Sequence, residues 1–136
     1  YAIHCVEGPV SEYCRLVSGC GDAELFARDY DWMLAKDVLE HIDDENLRLL
    51  LSRASSHVGR MFVAVPLAHD DHSGKFIVPS YDDDITHVTV RSDAWWRRLF
   101  EEQNWHVRGY SNAFRGCKEN WTSEWPDGNG FFILES

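Results

Sequence analysis

The sequence predicts an α/β domain built on a mostly parallel sheet. Two short apolar runs, residues 32–36 and 61–65, have the length and composition of strands buried on both faces. Between them, Leu47, Leu50, Leu51, Ala54 and Val58 recur at helical spacing on one face. A second helical stripe follows before a final pair of strands, and strands alternating with helices imply a parallel sheet with helices against its faces. The 136 residues suit one domain, spanning 1–136.

In chain order, residues 1–7 read as the end of a helix, stopped by Gly8-Pro9. Residues 14–18 read as a short strand leading into Gly19-Cys20-Gly21-Asp22-Ala23, and 24–30 as loop or one helical turn. The strand at 32–36 delivers Asp37 at its C-terminal end. Asp43 or Asp44 caps the first full helix, which Gly59 ends. Pro66 stops the strand at 61–65. Residues 67–86 are polar and rich in Asp, and a loop of that length in a compact domain is functional or mobile. Ser92 caps the second helix, with Asp93 in its first turn and Trp96, Leu99 and Phe100 as its inner stripe. Residues 105–114 alternate as a strand should, and a turn cluster at 126–130 precedes the last strand, 131–134. With no helix between these two, one is expected to be antiparallel.

Composition narrows the function classes. The net charge is −10, from 13 Lys and Arg against 23 Asp and Glu, which argues against nucleic-acid backbone binding. No apolar run approaches a membrane span, and the start lacks a basic region followed by an apolar one. Cys5, Cys14, Cys20 and Cys117 have no C-x-x-C spacing, so free, mostly buried thiols in a cytoplasmic protein are expected. Gly19-Cys20-Gly21 looks like the start of a G-x-G-x-x-G phosphate loop. It is rejected because the third Gly is missing and no full helix fits before the next strand.

"DVLEHI", residues 37–42, within "YDWMLAKDVLEHIDDENLRLLLSRASSHVGRMFVAVP" resembles the middle of a class I S-adenosylmethionine-dependent methyltransferase. "DITHVTVRSDAWWRRLFEEQNWHV" is similar to that family's last helix and its exit into strand six. The resemblance covers most of residues 14–134. It implies a Rossmann-like three-layer sheet of order 3-2-1-4-5-7-6, mostly parallel with an antiparallel last strand. It also implies methyl transfer from S-adenosylmethionine to a small-molecule or sugar-like acceptor. Acceptor contacts are expected on the loop at 67–86, since binding residues concentrate on loops at the C-terminal edge of such a sheet. Asp22 and Ala23 match the turn that meets the adenine. Asp37 matches the residue beside the methionine portion, with Val38 and Leu39 lining that pocket. A local turn role for Asp22 stands beside the ligand role. His87 or His41 is the candidate general base.

Some subgroups with a Glu-His pair here bind a divalent metal, and Asp37, Glu40, His41 and His87 would give mixed O/N ligation. The same "LEH" is widespread in relatives without metal, so no metal is expected and His41 is read as packing locally. The cluster His69-Asp70-Asp71-His72 is read as solvated. Among the tryptophans, Trp121 and Trp125 are candidates to floor an acceptor pocket, and Trp95, Trp96 and Trp105 are assigned to the core.

The resemblance also implies a Gly-rich loop and a ribose-binding acid ahead of these residues, and neither is found in the 136. Glu7, only 15 positions before Asp22, fits a helix end better. The chain therefore reads as the C-terminal two-thirds of such an enzyme, truncated and expected to bind the cofactor weakly alone. Its open sheet edge is expected to pair internally or with a second copy. The alternative is a non-catalytic, methyltransferase-like remnant acting as an interaction or oligomerisation module.

Overall fold

A computed structural model describes residues 13–71 and 73–136. The expected helix end at 1–7, its stop at Gly8-Pro9, Cys5, Glu7 and His72 lie outside the described residues. Four strands form one sheet: β1 (Tyr30–Lys36), β2 (Val58–Pro66), β3 (His106–Ser111) and β4 (Asn129–Glu135), in the order β1-β2-β4-β3. β1 and β2 are parallel, and β4 runs antiparallel to both β2 and β3. This is the 4-5-7-6 half of the strand order implied above, with the last strand antiparallel.

Helix α1 (Asp44–Ser55) starts where the Asp43 carboxylate accepts from the Asn46 N–H at 3.0 Å. Its Leu47, Leu50, Leu51 and Ala54 are buried. Helix α2 (Asp93–Glu102) buries Trp96, Leu99 and Phe100. Both stripes share one apolar cluster with Met61, Val63 and Val65 of β2 and Phe132 and Leu134 of β4. Trp105, fully buried, ties the helices to the sheet end by donating its Nε1–H to the Leu51 carbonyl at 3.0 Å.

Several expectations change. Residues 14–18 form no strand, because a strand needs a ladder partner and none of the described strands runs beside them. β1 is not buried on both faces. Met33 and Ala35 turn toward the core, while Trp32 and Leu34 are 52% and 69% exposed. Among the described residues β1 pairs with β2 alone, and the sheet face carrying Trp32, Leu34 and Ile133 has no helix over it. α1 ends at Ser55, so Gly59 belongs to β2. Ser92 sits at the N-cap of α2, but its hydroxyl donates to Asp70 at 3.1 Å instead of capping the helix. A short helix, α3 (Glu119–Glu124), interrupts the connection from β3 to β4. Cys20 and Cys117 are free thiols, as expected, but only partly buried, and Cys14 is partly buried too. No helix of the described residues is long and apolar enough to cross a membrane.

Truncating a buried stripe residue of α1 and an exposed one separates packing from helix propensity. Leu51 is fully buried and Leu49 is 43% exposed. In urea denaturation, Leu51→Ala is expected to lose about 2–5 kcal/mol and Leu49→Ala no more than about 0.5 kcal/mol. Similar losses from both would contradict the assigned helix face.

Candidate functional site

The site begins where β1 stops. The Asp37 N–H donates to the Ala64 carbonyl at 3.0 Å, extending the ladder one residue past the strand. Asp37 then takes a left-handed conformation, φ 53°, which few side chains other than Gly, Asn and Asp adopt readily. This reverses the chain into a single 3₁₀ turn, Leu39–His41. Leu39 drops fully into the core, Glu40 is buried, and His41 remains exposed.

The long loop is fastened onto this turn. The Glu40 carbonyl accepts from the N–H groups of both Val88 and Thr89, each at 3.0 Å. The Thr89 hydroxyl donates to the Ile42 carbonyl at 2.6 Å. His87 is thereby held beside His41, ring centroids 4.7 Å apart. Only a carbonyl, that of Tyr81 at 2.8 Å, faces His87 Nδ1, so this nitrogen is the donor. Thr86 donates its hydroxyl to Asp84 at 2.6 Å, so at His41 Nδ1, 2.9 Å away, its oxygen accepts. When neutral, both imidazoles thus keep the Nε2 lone pair. His87 Nε2 lies 3.7 Å from the Asp84 carboxylate, a partner for it when protonated.

Across the cleft, Asp37 is ion-paired with Lys36 at 2.6 Å and with Lys118. Lys118, its side chain only 10% exposed, also donates to Asn129 Oδ1 at 3.0 Å and to the Tyr81 hydroxyl at 3.2 Å. Burial pushes the Asp37 carboxyl up, but the hydrogen bonds and charges of Lys118 and Lys36 outweigh it and hold the group below the usual carboxylate range. Burial dominates at Glu40, with the Asp37 charge adding to it, and pushes that carboxyl up. Glu40 Oε2 has no hydrogen-bond partner. The cleft between these groups is about 470 Å³ and is walled by Tyr81 and Trp121. It combines a lysine-neutralised carboxylate, two proton-accepting imidazoles and an aromatic wall.

The sequence-predicted residues are only partly gathered here. Asp37, His41 and His87 line the cleft, and Trp121 joins them. Val38 is 44% exposed, and Leu39 is a core residue that supports the turn from beneath and lines nothing. Asp22 and Ala23 do not line the cleft. They lie beside α1, where Arg53 bonds the Cys20 and Asp22 carbonyls. The Asp22 carboxylate accepts from the Ser18 N–H at 2.8 Å, the Ser18 hydroxyl at 2.9 Å and the Glu24 N–H at 2.9 Å, the local turn role. These bonds, Ser18 first, lower its pKa. Trp96 and Trp105 are buried as expected. His69 and Asp70 border a separate depression beside α2. Sequence reasoning missed Lys118, Tyr81 and Asn129. A lone Lys after Gly116-Cys117 gives no periodic or motif signal, although its left-handed φ of 55° marks a constrained position.

No protein-family model and no curated protein matches the chain. Among solved structures, the mitomycin 7-O-methyltransferase MmcR is similar over 93% of this chain and 35% of its own, at 17% identity and a TM-score of 0.61. The O-methyltransferase family 2 protein from Planctomyces limnophilus DSM 3776, in complex with apigenin, is similar over 78% of this chain and 30% of its own, at 16% identity and a TM-score of 0.57. LepI in complex with SAM is similar over 79% and 26%, at 10% identity and a TM-score of 0.57. The chain has a class I methyltransferase fold. It spans about a third of MmcR, and identities this low carry the fold alone.

The Asp37–Lys118 pairing predicts a specific titration change. With Lys118→Met only Lys36 is left to offset burial, and the Asp37 carboxyl should titrate higher by carboxyl-resolved NMR. In the wild type its folded pKa is depressed, so this pair stabilises the fold above the unfolded pKa of about 3.9 and the contribution fades as pH falls through the lower folded value. The variant should lose part of that acid-side slope, Lys36 retaining the rest. An unmoved Asp37 titration would show that Lys118 does not control it.

Proposed function

We propose that this chain is part of an S-adenosylmethionine-dependent methyltransferase whose acceptor is a small, uncharged or sugar-like molecule bound in the Asp37–His87 cleft. The observation that carries this reading is the position of the cleft. It opens at the C-terminal ends of the parallel strands of a methyltransferase-fold sheet, where open α/β sheets bind ligands. Asp37 and Val38 border the methionine portion of the cofactor, with Leu39 holding the turn from the core. His87 and His41 offer Nε2 lone pairs to a proton leaving the acceptor. Tyr81 and Trp121 supply an apolar wall for the acceptor. Asp22 and Ala23, which lie outside this cleft, are assigned to the adenine by family resemblance. Methyl transfer then rests mainly on holding acceptor and sulfonium in line. The charge of −10 supports a protein that works on small molecules, away from nucleic acid.

Asp37→Asn keeps the shape of the side chain and removes its charge. In the full-length protein it is expected to lower methyl transfer from labelled S-adenosylmethionine roughly 100-fold, with the melting temperature little changed. Unchanged turnover would sink the assignment.

A second reading, association through the open side of the sheet, has its own observation. β1 is an edge strand with Trp32 and Leu34 exposed, and Phe114 and Ile133 are 45% and 39% exposed. Such an edge templates pairing with another strand. Sedimentation of the 136-residue chain is expected to show a dimer that Leu34→Lys disrupts. A monomer at high concentration would remove this reading.

A further inference from the structure

We propose that Lys118 is a positioning residue that sets, through Asp37, the charge preference of the cleft. It withholds the Asp37 carboxylate from a cationic ligand, and so weakens the hold on a sulfonium cation relative to a neutral thioether. The inference deepens the methyl-transfer reading and rests on it, since S-adenosylmethionine carries the sulfonium and S-adenosylhomocysteine the thioether.

The geometry makes Lys118 a fixed charge. Its side chain is 10% exposed. Besides the ion pair with Asp37, its ammonium donates to Asn129 Oδ1 at 3.0 Å and to the Tyr81 hydroxyl at 3.2 Å, and lies 4.9 Å from the Tyr81 ring centroid. Asn129 is 1% exposed and belongs to β4, where it pairs with Pro66 of β2, so this acceptor is locked into the sheet. The Lys118 backbone is left-handed, φ 55°, directly ahead of α3. Lys36 differs. It reaches the other Asp37 oxygen at 2.6 Å, but its side chain is 44% exposed, and an ion pair open to solvent is screened and weak. An arriving cation can release Lys36 into water. To displace Lys118 it has to break two further hydrogen bonds.

Asp37 and Lys118 stand between two openings. Both line the cleft with His87, and both line a neighbouring depression of about 410 Å³ on the Lys36 side. A ligand in either opening therefore meets the pair and not a bare carboxylate. Asp37 with Lys118 alone sums to zero charge, and with both lysines to +1. The other carboxylates nearby do not restore the missing attraction. Glu40 is pushed toward its neutral form, Asp84 faces His87, and Glu119 accepts from the Gly116 N–H at 2.9 Å.

The test reads binding and not turnover. The 136-residue chain is titrated with S-adenosylmethionine and with S-adenosylhomocysteine by ¹H–¹⁵N correlation, and the ratio of the two dissociation constants is compared among variants. Lys118→Gln removes the charge and keeps a donor for Asn129. It should raise the preference for S-adenosylmethionine at least ~5-fold over the wild type. Lys118→Arg keeps the charge and should leave the ratio at its wild-type value. Asp37→Asn leaves both ammonium groups uncompensated and should move the ratio the opposite way. A purely structural role for Lys118 would weaken both ligands together and leave the ratio alone. Should Lys118→Gln prove unfolded by circular dichroism, Asp37→Asn decides. A ratio unmoved in folded Lys118→Gln, or in Asp37→Asn, would overturn the proposal and leave the methyl-transfer reading standing. A wild-type chain that binds neither ligand at millimolar concentration would overturn both.

Discussion

The cleft depends on one backbone acceptor. The Glu40 carbonyl receives two N–H groups from Val88 and Thr89, and these bonds fasten the far end of a long polar loop to the turn after β1. Without them nothing in the local sequence would bring His87 to His41, 46 positions earlier. The bonds are possible only because Asp37 adopts a left-handed conformation that aims the Leu39–His41 turn across the sheet end. Leu39, fully buried, anchors that turn from below. A strand terminus, one strained residue and two hydrogen bonds thus convert a loop into a wall of a site.

The charges in the cleft follow from how each group is compensated. Asp37 and Glu40 are three residues apart and both carboxylates, yet their titrations move in opposite directions. Asp37 meets two ammonium groups and is held ionised. Glu40 meets mainly burial and a neighbouring negative charge, and is pushed toward its neutral form. Two carboxylates separated in this way divide their roles: one fixes a cation of the protein, and the other remains available to a proton.

Much of the fold was legible in the sequence because it is set by local pattern. The apolar spacing of Leu47, Leu50, Leu51 and Ala54, the cap at Asp43 and the stripe of Trp96, Leu99 and Phe100 all appear as read. The motif at 37–41 suits the strand exit for a physical reason, since an Asp that can turn left-handed, a core Leu and a buried Glu are what this exit requires. The failures lie where structure depends on partners distant in sequence. Residues 14–18 have strand composition but no neighbouring strand, and the apolar run of β1 is exposed on one face because nothing described covers it. Asp22 satisfies its own turn. Lys118 acquires its role only through contacts with Asp37, Tyr81 and Asn129 that no spacing encodes.

The central claim is that the Asp37–His87 cleft seats the acceptor against the methionine portion of the cofactor. The most direct measurement is a ¹H–¹⁵N correlation titration of the chain with S-adenosylhomocysteine, sensitive to weak as well as tight binding. The account predicts amide shifts concentrated at residues 37–41, 80–88 and 118–121, diminished by Asp37→Asn. Saturable shifts confined to the depression around Arg91, Trp95 and Arg98, or none at millimolar ligand, would contradict it.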